Sequence, residues 1–281
     1  MAIPATPALR RGVLAVCVLH DVDLVPTPAG VELGGPTPVG VSWAECARAL
    51  RGADPDGDEG RHLLAAWLRA RRLIADHTSA GLAEQVRPLG LPVGHVFHPG
   101  PGWAHRRVLG GAAELGLGLI GLDPRQRERE VTAVAPGVWA AAGIDRAGLW
   151  PAAAAYLSRM SRLAVERRLR CPSEPLRPMG DCDVVTLLCH RGLRVALCNP
   201  TGMVAAGVPM RSRGWTELRQ VDPAFIVAAA AATDPPQRGF PRPLLITADE
   251  IVMVAAGGRP GTLPALDAVA ESPWLRPVRY R

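Results

Sequence analysis

A chain of 281 residues is long enough to bury one large core or two ordinary ones. Its hydrophobic fraction of 48% and charged fraction of 21% are typical of a globular protein and exclude a largely disordered chain. The net charge of +6 permits an acidic partner without requiring one, because 26 acidic residues are interleaved with the 32 basic residues.

All of the basic residues are arginines, and the sequence contains no lysine. Together with 30 glycines and 28 prolines, this composition indicates a GC-rich genome, so the arginine-rich character is a weak argument for phosphate binding. Nucleic acid is therefore the less favoured partner, although a basic face stays compatible with it. No apolar run reaches the roughly 18 residues that a membrane helix needs. Six scattered cysteines do not form the pattern of a secreted scaffold, so we expect no membrane contact and a cytoplasmic location.

The N-terminal part of the chain predicts short strands and then helices. The apolar, valine-rich stretch 12–19 has the length of a strand and no signal-peptide cleavage site, so we expect a first strand there. Ser42 and Glu45 have the spacing of a capping box and predict the start of a helix. Periodicity and turn residues predict the other elements: a hairpin at 24–33, a strand at 39–41, helices at 43–50, 61–76, 82–86 and 149–169, and strands at 93–97 and 131–134.

The pattern changes after three prolines at 172, 175 and 178. From there we predict hairpins: strands at 183–189, 193–198 and 203–208, a helix at 222–232, and a last hairpin at 244–255. Strands grouped in hairpins predict an α+β protein with a mixed, largely antiparallel sheet and several covering helices. The predicted division is an N-terminal α+β region, 1–170, and a C-terminal hairpin-rich region packed on it, 171–281, with a single domain as the alternative.

Two Asp-x-Asp pairs are candidates for a metal site. Asp21 and Asp23 follow the first predicted strand, and Asp181 and Asp183 begin a later one. Residues two apart on a strand point to the same side, so each pair presents two carboxylates together. Carboxylate oxygens are the ligands of hard divalent cations, which predicts Mg²⁺ or Mn²⁺ as the cofactor if these pairs converge.

A second candidate is the Pro/Gly-rich loop after the strand predicted at 93–97. It carries histidine, tryptophan and arginine together, and exposed rigid loops of this kind commonly present functional groups. Its three histidines, His95, His98 and His105, could form a facial set of metal ligands. Alternatively, we expect His98 or His105 to act as a general base, and Trp103, Arg106 and Arg107 to bind an anionic substrate.

The cysteines near His190 could bind zinc, but we favour the interpretation that they pack in the protein core. In the predicted hairpin, Cys189 and Cys198 would lie five residues apart along the strands, roughly 16 Å, which is too far for one ion. Cys182 could approach Cys198 diagonally, but the sequence contains no Cys-x-x-Cys pair. We therefore expect the cysteines to pack in the interior.

Two functional hypotheses follow from these residues. The first is a hydrolase or transferase, assisted by a divalent cation or by histidine, that acts on an anionic small molecule. The second is a non-catalytic, arginine-rich protein that binds an acidic partner or nucleic acid. The sequence alone favours neither.

Overall fold

The computed structural model describes residues 5–77, 79–95, 98, 103, 105–120, 131–134, 138–141, 144–217 and 221–254. By the density of its internal contacts, the chain divides into two compact units. The first consists of Met1–Leu89, His98–His105 and Gly116–Tyr156, and the second consists of Gly90–Phe97, Arg106–Leu115 and Leu157–Arg281.

The first part of the chain combines four helices with a small antiparallel sheet. Its elements are α1 (Pro7–Leu19), β1 (Leu24–Pro26), β2 (Gly30–Leu33), β3 (Val39–Ser42), α2 (Trp43–Leu50), α3 (Asp58–Ala75) and α4 (Ser79–Gln85). The sheet has the order β1-β2-β3, and α1 and α2 pack against α3 over a common apolar core. The predicted hairpin at 24–33 is confirmed, with Leu24 opposite Leu33.

The predicted capping box at the start of α2 is confirmed. The Ser42 hydroxyl accepts a hydrogen bond from the backbone N–H of Glu45, and a Glu45 carboxylate oxygen accepts one from the backbone N–H of Ser42 at 2.8 Å. Two backbone donors that the first turn of a helix leaves open are thereby satisfied.

The predicted first strand at 12–19 is wrong, because these residues belong to α1. The Thr6 hydroxyl accepts a hydrogen bond from the backbone N–H of Leu9, and Pro7 occupies the first helical position, where its missing N–H costs nothing. The buried residues of the helix recur at helical spacing: Leu9, Val13, Val16 and Cys17. Packing of this face therefore outweighs the strand preference of the valines.

The middle of the chain contributes a second sheet and the longest helix described. Its elements are β4 (Val86–Pro92), β5 (His105–Val108), β6 (Ala113–Leu119), β7 (Thr132–Ala133), α5 (Val138–Ala141) and α6 (Trp150–Arg170). The order of this sheet is β4-β6-β5, with β7 also paired to β6. The strand predicted at 93–97 is wrong at its start, because Val93 and Gly94 form a turn in which Gly94 has φ +77°. Residues 96 and 97 lie outside the described part of the chain.

The C-terminal part carries a third sheet with helices. Its elements are α7 (Val184–Leu188), α8 (Arg191–Leu197), β8 (Met203–Met210), β9 (Arg213–Trp215), α9 (Pro223–Ala232), β10 (Leu244–Thr247) and β11 (Ile251–Met253). The sheet order is β11-β10-β8-β9, and α9 packs on β8. The strand at 203–208, the helix at 222–232 and the hairpin of β10 and β11 are confirmed; residue 255, the last of that predicted hairpin, lies outside the described range.

The predicted hairpin at 183–198 is wrong, because these residues form α7 and α8. The Asp183 carboxylate accepts the backbone N–H of Thr186 at 2.7 Å, and His190 Nδ1 accepts that of Gly192 at 3.2 Å, so each residue caps a helix. The strand assignment overlooked both caps. Because these residues do not form a hairpin, the separation of roughly 16 Å predicted for Cys189 and Cys198 is not valid.

The observed fold class agrees with the α+β prediction. Helices and sheets are both substantial, and each strand pairing whose register is described is antiparallel. Within the described residues, no helix has both the length and the apolar composition needed to cross a bilayer.

Candidate functional site

Three aromatic rings from the predicted loop lie against one another. The rings of Trp103 and His105 are stacked, with centroids 5.2 Å apart and planes 19° apart. The ring of His98 meets both of them edge-on, at centroid distances of 5.2 Å to Trp103 and 5.1 Å to His105. The structure therefore brings together the two predicted catalytic histidines and the predicted substrate-binding tryptophan.

Trp103 is the buried anchor of this group. Its side chain is 3% exposed, and its indole N–H donates a hydrogen bond to the carbonyl of Leu117 on β6 at 2.8 Å. Gly116, the preceding residue on β6, has no side chain to obstruct the indole. A buried indole that satisfies its one donor in this way is fixed in both position and orientation.

Both histidines are also held by hydrogen bonds. His105 Nδ1 lies 2.9 Å from the carbonyl oxygen of Trp103, and because a carbonyl can only accept, Nδ1 carries the proton. The second ring nitrogen, Nε2, then has the lone pair that a metal ion requires. The carbonyl oxygen of His98 accepts a hydrogen bond from Arg51 Nη1 at 2.7 Å, which ties the backbone of the loop to the end of α2.

Glu114 completes the candidate metal centre. It lies on β6, the strand next to β5, and it is buried, whereas His98 and His105 are half-buried. One ligand atom from each of these three side chains can be chosen so that all lie within 4.8 Å of one another. Two ligands of one tetrahedral zinc ion are about 3.4 Å apart, so small side-chain rotations would suffice to close the group on an ion.

The sequence prediction missed Glu114. In the sequence, Glu114 is a single charge that interrupts the apolar stretch 108–122. A single carboxylate within an otherwise apolar strand is the signal that could have revealed it, because such a group is expensive to bury without a charged partner.

The donor set of this group determines which ions it suits. Imidazole nitrogens favour first-row transition metals such as zinc and iron, whereas Mg²⁺ prefers oxygen ligands alone. Two histidines and one carboxylate are also the protein ligands of several catalytic zinc and iron centres, in which the remaining positions accept water or substrate. The group is therefore chemically suited to a transition metal with at least one open position.

The two predicted substrate-binding arginines lie on β5 and face opposite sides. Side chains alternate along a strand, so Arg107 shares the face of His105 and Arg106 points away from it. Arg107 Nε is 3.7 Å from the Glu114 carboxylate, and its side chain is 72% exposed. Of the two, Arg107 is the arginine that can reach an anion held beside the histidines.

The four predicted aspartate ligands have other roles or surroundings in the structure. Asp21 and Asp23 follow α1, where Asp21 has φ +51° and the Asp23 carbonyl accepts the N–H of Gly34. Asp181 is half-buried in the turn before α7. Across the described residues, none of the four belongs to a cluster of three potential ligands, so their role in binding Mg²⁺ or Mn²⁺ stays a prediction.

Asp183 already has two hydrogen-bonding partners. One of its carboxylate oxygens caps α7, and the other accepts a hydrogen bond from Arg211 Nε at 2.6 Å and lies 2.5 Å from Nη2 in the same ion pair. The side chains of this ion pair are only 16% and 11% exposed, respectively. A metal ion at Asp183 would have to displace a largely buried guanidinium.

Three of the cysteines are protected from deprotonation. Burial raises the pKa of Cys17 to about 11 and that of Cys46 to about 12. Burial, assisted by the negative charge of Asp183, raises the pKa of Cys189 to about 12. These three thiols therefore stay protonated near neutral pH, which makes them poor nucleophiles and poor metal ligands.

Comparison with known protein families, with curated proteins and with solved structures gives no match. Within the described residues, the group of His98, His105 and Glu114 is the strongest support for a chemical activity.

Proposed function

We propose that the chain is a metal-dependent hydrolase or transferase whose ion is held by His98, His105 and Glu114. The observation that supports this proposal is the convergence of three ligand atoms to within 4.8 Å, one of them from the buried carboxylate of Glu114. A transition metal bound here would neutralise the charge of Glu114 and leave open positions for water and substrate.

The surrounding residues suit this role. The hydrogen bond from His105 Nδ1 to the Trp103 carbonyl fixes the orientation and the tautomer of the imidazole, as is usual for histidines that bind metals. Trp103 supplies a buried apolar wall against both rings, which limits the access of water.

An anionic small molecule is the substrate class that the nearby charges favour. Arg107 lies on the same face of β5 as His105, and its guanidinium is largely exposed. Arg107 would bind the anionic group of the substrate, and an ion held by His98, His105 and Glu114 would supply a Lewis acid beside the bond that is cleaved. A cytoplasmic location, which we infer from the cysteine content, is consistent with six cysteines that are all thiols.

Metal titration tests the proposal. The chelated protein is titrated with Zn²⁺, Co²⁺ and Mg²⁺ in a calorimeter, in the wild type and in His98→Ala, His105→Ala and Glu114→Gln. We expect one site for Zn²⁺ and Co²⁺, little heat with Mg²⁺, and an affinity loss on the order of 100-fold or more in each variant, since even partners of ligands typically contribute 10- to 100-fold.

The matched control is His62→Ala, because His62 lies on α3 and belongs to no metal-ligand group among the described residues. It should bind Zn²⁺ as the wild type does. If all three ligand variants also bind as the wild type does, the proposed site is wrong. Hydrolysis of aryl phosphate and aryl ester substrates by the Zn²⁺ form then separates an enzyme from the non-catalytic alternative.

A further inference from the structure

Arg107 and Glu114 form an ion pair at the edge of the proposed metal centre. Nε of Arg107 lies 3.7 Å from Oε1 of Glu114, and the two residues belong to neighbouring strands, β5 and β6. His105 is also on β5, and Arg107 shares its face. The guanidinium of Arg107 therefore lies beside the carboxylate that the proposed metal centre offers to an ion.

The two side chains of this pair differ greatly in exposure. The side chain of Glu114 is 8% exposed, whereas that of Arg107 is 72% exposed. The carboxylate is thus held in the interior, while the guanidinium stands at the end of a long side chain that is largely in solvent. An ion pair with so exposed a member contributes little stability and opens at little cost. Arg107 is therefore the member of the pair that can move away.

A divalent ion at Glu114 would change the charge balance around Arg107. Without an ion, the positive charge of Arg107 and the negative charge of Glu114 sum to zero. An ion of charge +2 held by His98, His105 and Glu114 raises that sum to +2, because histidines bind metals in their neutral form. Two neighbouring cations repel each other unless an anion lies between them. The ion therefore competes with Arg107 for Glu114 and leaves Arg107 available to an anion.

We propose that Arg107 couples the binding of the metal ion to the binding of the anionic substrate. Arg107 pairs with Glu114 when no ion is bound, so an anion binds weakly to the metal-free protein. The arriving ion takes Glu114 from Arg107, and the guanidinium then binds the anionic group of the substrate. The ion and the anion each increase the affinity for the other by the same factor. This coupling rests on the proposed function, because it requires the metal centre of His98, His105 and Glu114.

Calorimetric titration with Zn²⁺, in a buffer without oxyanions, tests whether the ion competes with Arg107. Arg107→Gln removes the competing cation, so we expect its Zn²⁺ affinity to rise about threefold to tenfold, the effect of one exposed charge close to an ion. Arg106→Gln is the matched control, because it removes the same charge from the opposite face of β5, and its Zn²⁺ affinity should stay within about twofold of the wild type. An unchanged or lower affinity in Arg107→Gln would overturn the proposal.

Phenylphosphonate, an aryl anion that cannot be hydrolysed, tests the coupling to the substrate. We expect it to bind the Zn²⁺ form at least about tenfold more tightly than the chelated protein, and Arg107→Gln should reduce this ratio about fivefold or more. A phosphonate that binds the ion alone would give the same ratio in the wild type and in Arg107→Gln, and that result would also overturn the proposal. Its neutral dimethyl ester should bind both forms equally weakly.

Failure of the coupling and failure of the metal centre give different results. If the metal centre is wrong, the wild type binds no Zn²⁺, or the His98→Ala, His105→Ala and Glu114→Gln variants bind it as the wild type does, and both proposals are overturned. Zn²⁺ binding that depends on those three residues, together with affinities for Zn²⁺ and phenylphosphonate that do not depend on Arg107, overturns the coupling and leaves the metal centre in place.

Discussion

The indole of Trp103 fills the space that any side chain at Gly116 would need. A Cβ atom added to Gly116 would lie 2.2 Å from Cζ2 of Trp103 and 2.4 Å from Cε2, far inside van der Waals contact. The glycine on β6 and the tryptophan of the loop are therefore complementary in shape. Trp103 also packs against both histidine rings. The contact between Gly116 and Trp103 therefore positions the proposed metal ligands, although neither of these two residues is a ligand itself.

Gly116→Ala should weaken metal binding indirectly. The added methyl group displaces Trp103, and overpacking of this kind costs about 1–3 kcal/mol of unfolding free energy. We expect a lower melting temperature and a Zn²⁺ affinity reduced about 10- to 100-fold, as for other residues that orient ligands. Differential scanning fluorimetry and calorimetric titration measure the two effects.

The matched control for that substitution is Gly148→Ala. An added Cβ at Gly148 meets nothing within 4 Å, and Gly148 has no positive φ. This variant should keep both the stability and the Zn²⁺ affinity of the wild type. Normal Zn²⁺ binding by Gly116→Ala would show that Trp103 does not position the histidines.

The ion pair of Asp183 and Arg211 predicts a structural role for an aspartate that the sequence assigned to metal. Asp183→Ala leaves the guanidinium of Arg211 largely buried without its carboxylate, which typically costs about 3–5 kcal/mol. Asp249→Ala, which removes an exposed pair with Arg191, should change stability by less than about 1 kcal/mol. Urea unfolding of the chelated proteins measures both.

The Asp183→Ala variant also tests the prediction that the aspartate pairs bind Mg²⁺ or Mn²⁺. Our account expects the melting temperature of the wild type to be unaffected by Mg²⁺ at millimolar concentration. A stabilisation by Mg²⁺ or Mn²⁺ that disappears in Asp183→Ala would instead support the predicted aspartate site.

The capping box at Ser42 predicts a pH dependence of stability. Burial alone would raise the pKa of Glu45, but hydrogen bonds from Ser42 and the charges of Arg71 and Arg48 outweigh burial and lower that pKa below its ordinary value. A carboxyl whose pKa is lower in the folded state stabilises the protein above its unfolded pKa, and this stabilisation is lost as the pH falls.

Ser42→Ala should therefore cost about 1 kcal/mol at pH 7. It should also flatten the loss of stability below about pH 4.3, the ordinary pKa of glutamate, because the pKa of Glu45 would be lowered less. Unfolding free energies at several pH values measure both effects, with Ser173→Ala at an exposed turn as the control. Equal acid sensitivity in the wild type and Ser42→Ala would contradict this expectation.

The thiols should react in a clear order. Cys171 is exposed, whereas burial raises the pKa values of Cys17, Cys46 and Cys189 to between about 11 and about 12. Iodoacetamide at pH 8 should modify Cys171 before Cys17, Cys46 and Cys189, because the thiolate is the reactive form. Mass spectrometry identifies the modified sites at each time. Modification of Cys17, Cys46 or Cys189 as fast as that of Cys171 would contradict this order.

Local signals predicted the elements whose ends carry side-chain caps or turns. The helix α2 was predicted from Ser42 and Glu45, and the hairpin of β10 and β11 from its turn. The predictions failed at α1 and at α7 and α8, where valine-rich runs favoured strands while the caps Thr6, Asp183 and His190 were overlooked. Tertiary packing of the buried face then decided the conformation.

The candidate site was only partly predictable for a related reason. His98, Trp103 and His105 lie within eight residues of one another, so local sequence sufficed to group them. Glu114 joins them through the pairing of neighbouring strands, which composition and periodicity do not encode. Conversely, the aspartate pairs were grouped by spacing alone, which overlooked Asp183 as the cap of α7, and the contact of Asp183 with Arg211 is not encoded in local sequence.

Locating the bound ion by crystallography is the most direct test of the proposal that His98, His105 and Glu114 form a metal site. Crystals of the Zn²⁺ form, measured above and below the zinc absorption edge, give an anomalous difference map that locates the ion independently of any assumed ligand. We predict one strong peak within about 2.2 Å of a nitrogen of His98, Nε2 of His105 and a carboxylate oxygen of Glu114. A strong zinc peak at other residues, with none at these three, would contradict the account.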